Sequence, residues 1–252
     1  MDERTPQSGE ERDPTEAAGE RRREPVFNLP AGILALLALL GAIYFVQSVL
    51  LTPDMVDWMT VEFGFTPIRY VYPLSQQGYE WLWTPVTYSL LHGGLEHLAF
   101  NGLWLAAFGT PVLRRIGLPR FLMLWAVSSA AGAAFHAAFN WGQPTFLIGA
   151  SGAVSAFMGA ACRFAFGGRA REAASHLGYN PPRLTIVDAL RQKTVRVFIL
   201  VWFVGNLVIA FGVPLFGDIG AAVAWDAHIG GFLLGFLCFG LFDPVSDPRR
   251  RA

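Results

Sequence analysis

Apolar residues in this chain come in long blocks, with neither the alternation of a half-buried strand nor the one-sided stripe of a surface helix. Six blocks approach the roughly 20 residues that a helix needs to cross the hydrocarbon core of a bilayer: residues 30–51, 94–113, 121–139, 146–166, 195–213 and 221–242. The fourth is rich in Gly, Ala and Ser and opens on a polar-tolerant turn. This pattern predicts an all-α membrane protein with six transmembrane helices. Residues 1–25 are rich in Glu, Arg and Pro without apolar periodicity. Such a segment cannot offset its ordering entropy by burial and reads as a disordered tail. The expected organisation is a cytoplasmic tail over 1–25, one membrane domain over 26–243 and a short basic tail over 244–252.

The charges orient the spans. Arg114, Arg115 and Arg120 lie between the second and third. Arg169, Arg171, Arg183, Arg191, Lys193 and Arg196 lie around the connection from the fourth to the fifth. Together with Arg21, Arg22 and Arg23 before the first span and Arg249, Arg250 and Arg251 after the last, they fall on one side. The other side holds Asp54, Asp57, Glu62 and Glu80 against Arg69 alone, then the uncharged stretch 140–145 and Asp218. The positive-inside rule makes both termini cytoplasmic. The connection 52–91 carries Trp58, Tyr70, Tyr72, Tyr79, Trp81 and Trp83, so part of it is expected in the outer membrane interface.

Composition narrows the function. Only 15% of the 252 residues are charged and 53% are apolar, with zero formal net charge; a soluble domain carries about 25% charged residues. No basic field points to nucleic acid. Cys162 and Cys238 sit singly in apolar runs and read as packing residues. The histidines have no zinc spacing, and no metal or cofactor is implied.

Polar groups inside spans cost free energy and mark candidate sites. Ser151 opens the fourth span in Gly149-Ala150-Ser151-Gly152. A serine in a membrane helix commonly bonds back to its own helix, but here glycines leave the hydroxyl accessible. A helix start also offers unpaired N–H groups to a developing oxyanion. His228 lies in the sixth span, with Gly231 and Gly235 three and seven residues on, sharing its face. That small-residue face admits a close neighbour, and the Gly/Ala-rich fourth span fits. A serine hydroxyl needs such a base, and imidazole suits the role. His97 and Asn101, one turn apart in the second span, are either interhelical hydrogen-bonding groups or oxyanion donors with the Ser151 N–H. His92 either supports the same site or holds the loop. Asp226 lies about 200° around the helix from His228, which excludes it as the orienting acid; a wet outer cavity or a loop partner is expected for it. His136 and Asn206 read as interhelical hydrogen-bonding groups, Glu96 as hydrated at the outer mouth of span two, and His176 as a cytoplasmic loop residue.

The segments His92-Gly-Gly-Leu-Glu-His97-Leu-Ala-Phe-Asn101, Gly149-Ala-Ser151-Gly152, Ala227-His228 and the pair Gly231/Gly235 occur in the order and span placement of the rhomboid proteases. The chain resembles that family from about residue 30 to 242. The resemblance implies a six-helix rhomboid-like bundle in a bacterial inner (plasma) membrane. Ser151 would be the nucleophile and His228 the base. His97, Asn101 and the Ser151 amide would hold the oxyanion, with His92 a weaker member, and Gly149, Gly152, Gly231 and Gly235 would pack near the site. The implied partners are the lipid bilayer and single-span membrane proteins, cut in or beside their transmembrane segments. One departure stands out: many rhomboids carry Trp-Arg in the first extramembrane loop, whereas here Trp83 precedes Thr84. A transporter would show inverted repeats or paired broken helices, and neither is visible. A non-catalytic client-binding scaffold of the same fold is the other rival.

Overall fold

A computed structural model describes residues 29–166, 182–211 and 224–245 of the chain. The N-terminal tail with Arg21, Arg22 and Arg23 lies outside the described residues, as do Arg169, Arg171, His176, Asp218, Arg249, Arg250 and Arg251. The described residues are helices and turns without a strand; one isolated antiparallel bridge joins Phe65 to Leu147.

Helix α1 (Ala31–Phe45) is apolar on every side and runs into a π-helical turn (Val46–Leu50) ahead of Pro53. The second predicted span is a helix in three parts: α4 (Leu95–Trp104), a π-helical turn (Leu105–Gly109) and α5 (Thr110–Ile116). Pro111 explains the interruption. It has no N–H to donate and its ring crowds the preceding turn, and the wider π geometry relieves both. Gly117, at φ +76°, reverses the chain into α6 (Leu118–Phe139). Helix α6 and the stretch Ala31–Leu50 are each long and apolar enough to cross a membrane.

The centre of the bundle is α7 (Ser151–Ala161), in which every residue from Gly152 to Ala161 is buried. Small residues dominate because other helices approach on all sides. Phe121 of α6 stacks on Phe157 at 4.3 Å between ring centroids, and Trp125 closes over the same ring. The fourth apolar block, expected to be helical over 146–166, therefore forms a helix of only 11 residues. At 1.5 Å per residue that is about 16 Å, half the hydrocarbon thickness. The block's first residues are spent on an extended pairing with Phe65 and a turn, so the helix begins only at Ser151.

Helices α8 (Ile186–Arg191) and α9 (Lys193–Ala210) follow. The first is capped by Thr185, whose hydroxyl accepts from the Asp188 amide at 3.0 Å. The last helix, α10 (Trp225–Cys238), ends in a 3₁₀ turn (Phe239–Leu241). At that end Arg115 makes two hydrogen bonds to the Asp243 carboxylate, at 3.1 and 2.9 Å, and Arg183 approaches it at 3.7 Å. Three segments that loop charge assigns to one face thus converge on one acid.

The connection 52–91 is folded rather than draped. It holds α2 (Pro53–Phe63) and α3 (Glu80–Thr87). Trp83 Nε1 donates to the Glu62 carbonyl at 2.9 Å and Thr87 Oγ1 to Phe63 at 2.8 Å. Arg69, the lone cation expected there, is buried and donates to the Val61 carbonyl at 2.7 Å, to Gly64 at 3.5 Å and to Thr84 Oγ1 at 3.3 Å. The position after Trp83, where the resemblance leads one to expect an arginine, thus meets a guanidinium delivered from 15 residues earlier.

Candidate active site

The turn before α7 requires a glycine for two reasons. Gly149 has φ +114°, which L side chains rarely adopt. A β-carbon there would also lie 2.5 Å from His97 Nε2 and 3.8 Å from Asn101 Nδ2. The turn is fixed by the Gly149 amide donating to the Tyr88 carbonyl at 2.9 Å, while the Tyr88 hydroxyl donates to Ser129 of α6 at 2.9 Å. His97 and Asn101 stack one turn apart on α4, with Asn101 Nδ2 bonded back to the His97 carbonyl at 3.0 Å. Both side chains therefore border the turn that leads into Ser151.

Ser151 is the first residue of α7, and no side chain caps that end. The first amides of a helix have no intrahelical acceptor, so the half-buried Ser151 sits beside N–H groups free to meet an anion. Immediately after it, Gly152 packs against α10: a β-carbon at 152 would reach the Ala227 carbonyl at 3.6 Å and the Tyr88 hydroxyl at 2.9 Å. Further along, β-carbons at Gly231 and Gly235 would collide with the carbonyls of Gly152 and Ala156, and one at Gly159 would run into Phe232. Helices α7 and α10 thus touch backbone to backbone over successive turns, the small-residue contact expected of closely packed membrane helices. Ser151 precedes Gly152 and His228 follows Ala227, so the two candidate side chains flank the same crossing.

Ser151 Oγ and His228 are not hydrogen-bonded to each other; such bonds are commonly long in unliganded enzymes and tighten with substrate. His228 is bonded instead through Nδ1, at 2.7 Å, to Oδ1 of Asn206 on α9. Among the described residues its Nε2 has no hydrogen-bond partner.

Asp226 corrects half of an expectation. It faces away from His228, as helical geometry requires, and it is buried rather than wet; of its partners, Asn140 lies in the 140–145 connection, as the loop alternative expected, and His136 on a neighbouring helix. Its oxygens lie 2.9 and 3.0 Å from His136 Nδ1 on α6. The carboxylate also accepts from Asn140 Nδ2 at 2.8 Å and from the Ala227 amide at 2.7 Å. His136 Nε2 meets Thr145 Oγ1 at 3.2 Å. This network ties α6 to the start of α10 and to the turn before Leu147.

His92 lies ahead of α4, buried, with its ring 5.1 Å from that of His97 in an edge-on arrangement. Among the described residues neither of its nitrogens makes a well-formed hydrogen bond, the Leu90 backbone being a polar neighbour of the ring. Burial, reinforced by the neighbouring His97, pushes its imidazole down to about 4, so it is neutral at ordinary pH. It backs His97 and does not touch the Ser151 turn through any recorded hydrogen bond.

The residue that pattern reading undervalued is Asn206. Its only signal in the sequence is that it is an amide inside an apolar run, the same signal His136 gives, and both were expected to hydrogen-bond between helices without the sequence naming a partner. Each has one: Asp226 for His136 and His228 for Asn206.

A family model described as a rhomboid domain matches residues 79–242, which include all of these side chains. The chain is 28% identical over 222 residues to the rhomboid protease GlpG of Serratia proteamaculans (strain 568), covering 87% of this chain and 63% of that protein. It is 30% identical over 177 residues to the rhomboid protease GluP of Bacillus subtilis (strain 168), covering 68% and 34%. To the rhomboid protease GlpG of Yersinia pestis (strain Pestoides F) it is 27% identical over 210 residues, covering 81% and 60%. The chain spans less than two thirds of the length of these relatives.

Proposed function

The chain belongs to the rhomboid family, and from that premise we propose that it is an intramembrane serine endopeptidase that hydrolyses peptide bonds in or next to transmembrane segments of single-span membrane proteins. The observation that carries the reading is the crossing of α7 and α10 at Gly152 and Ala227, with Ser151 and His228 on its two sides and His97 and Asn101 at the adjoining turn.

In this reading six segments span the membrane: α1 with its π turn, α4 to α5, α6, α7, α9 and α10. Both termini are cytoplasmic, and the setting is a bacterial inner membrane. His228 Nε2 takes the Ser151 proton as the hydroxyl oxygen attacks the scissile carbonyl. The oxyanion is held by the Ser151 amide, the His97 imidazole and the Asn101 amide. His228 then gives the proton to the leaving amine. Water hydrolyses the acyl-enzyme by the same steps in reverse roles. The short α7 supports a reaction centre below the membrane surface, reached from the side of the 52–91 connection. A substrate helix must unwind there to expose a carbonyl, which favours helix-weakening or small residues near the outer end of its span. No metal or cofactor enters these steps.

The test is cleavage of a tagged single-span reporter in membranes by wild type, Ser151→Ala and His228→Ala at matched expression. Wild-type cleavage near the outer boundary, with each variant reduced about a thousandfold or more, is the expected result. Equal behaviour of all three across several reporters would overturn the reading in favour of a client-binding scaffold.

A further inference from the structure

Asn206 occupies the buried face of α9, one turn beyond Trp202. The opposite face is exposed and apolar, with Leu200, Val201, Phe203 and Val204. Two rungs join the buried face to α10. Trp202 stacks on Phe232 at 4.4 Å between centroids, and one turn along each helix Asn206 meets His228.

The polar rung has a direction. Asn206 Nδ2 lies 2.8 Å from the Trp202 carbonyl. A carbonyl can only accept, so the nitrogen end of the amide faces it. That leaves the oxygen, Oδ1, facing His228 Nδ1 at 2.7 Å. An amide oxygen also only accepts. The imidazole proton must therefore reside on Nδ1, and in the neutral ring Nε2 is then the unprotonated nitrogen. A serine base needs its lone pair on the nitrogen that faces the hydroxyl. The nearest carboxylate in sequence, Asp226, is consumed by His136, Asn140 and the Ala227 amide.

We propose that Asn206 is a positioning residue for the Ser151–His228 pair: its Oδ1 holds His228 in the Nδ1–H tautomer and fixes the ring, so that Nε2 is free to accept the serine proton. The proposal rests on the reading of His228 as the general base. It gives this chain a third member in line behind the base, contributed by a neighbouring helix and neutral rather than anionic. A neutral acceptor suits a site inside a bilayer, because a carboxylate there would need its own partners. The amide oxygen orients the ring and steadies the imidazolium formed during attack without bringing a charge of its own.

The experiment uses the full chain in liposomes, labelled with ¹⁵N-histidine. Solid-state NMR distinguishes protonated from unprotonated ring nitrogens, and the His228 signals are assigned by their loss in His228→Gln. The expected wild-type spectrum has Nδ1 protonated and Nε2 bare. Asn206→Leu, similar in size but without an acceptor, is expected to give mixed tautomers and to lower kcat on the reporter between about tenfold and a hundredfold, with KM nearly unchanged. Asn206→Asp keeps an acceptor oxygen and is expected to recover much of kcat. A wild-type His228 carrying its proton on Nε2 overturns the proposal, with no variant needed. Wild-type tautomer and kcat in Asn206→Leu overturn it as well. If the tautomer follows position 206 while wild type cuts no reporter, the linkage stands and the protease reading is what falls.

Discussion

Helix α10 meets two neighbours in opposite ways. Against α7 it has no side chains to spare: Gly231 and Gly235 rest on the Gly152 and Ala156 carbonyls, and the contact runs backbone to backbone. Against α9 the described contacts include two rungs, Trp202 on Phe232 and Asn206 on His228, while Leu200, Val201, Phe203 and Val204 of α9 face outward. The first contact fixes where Ser151 and His228 sit relative to one another. The second fixes how the imidazole is turned. Distance between the two groups is secured by main-chain sterics, which admit no adjustment, whereas orientation depends on a single amide. The two interfaces should therefore fail differently when altered.

The sharpest way to break the comparison is one methyl group at the tight interface. Gly235→Ala places a β-carbon against the Ala156 carbonyl, where neither partner can move aside. Overpacking of this kind costs about 3 kcal/mol, and here two main chains must separate. The expected outcome is a large fall in thermal stability in detergent together with loss of reporter cleavage, because α10 carries His228 with it. Normal stability in this variant would show that the crossing is looser than the geometry implies.

The third neighbour, α6, is held by the buried Asp226 network, and its removal ranks next. Asp226→Ala leaves His136 Nδ1 and Asn140 Nδ2 without their shared acceptor, at about 2–3 kcal/mol. A double-mutant cycle with His136→Ala separates the pair's coupling from the cost of each truncation. Little or no coupling in that cycle would mean the two helices are held by packing alone. The apolar rung to α9 is worth less. Trp202→Ala forfeits the stack on Phe232, about 0.5–1.5 kcal/mol beyond the area it buries. It is expected to lower kcat more than its small effect on the melting temperature would suggest, since the polar rung beside it loses its alignment. An unchanged kcat would uncouple the two rungs.

How much of this was legible beforehand follows the same division. Chemistry that needs a residue type at a fixed helical spacing could be read directly. Gly149 to Gly152 marks a helix start, and Gly231 with Gly235 marks a face that lets a neighbour come close; the structure shows both. The rejection of Asp226 as a partner of His228 also needed only the helical repeat, and it is His136 that Asp226 meets. Pairings between distant segments left no such trace. Asn206 and His228 are 22 residues apart and Arg69 and Thr84 are 15 apart, and a lone polar residue in an apolar run does not name its partner. The length of α7 was hidden for another reason. Residues 146–150 are as apolar as the helix that follows them, so hydropathy sees one block, while the positive φ of Gly149 and the pairing of Leu147 with Phe65 set its starting boundary.

The smallest effect is the counterpart of the largest. Gly205 lies on α9 beside Asn206, and a β-carbon there meets nothing within 4 Å. Gly205→Ala is the same chemical change as Gly235→Ala, on a helix of similar composition. With no clash to set against it, only the backbone term remains, and alanine favours a helix over glycine by about 0.5–1 kcal/mol. The melting temperature should hold or rise slightly, and cleavage should stay at the wild-type rate because the Asn206 rung is untouched. A loss of stability at this position would mean that α9 is covered by another surface on that side. The contrast drawn between the two faces of α10 would then concern only this chain taken singly, not the protein as it sits in its membrane.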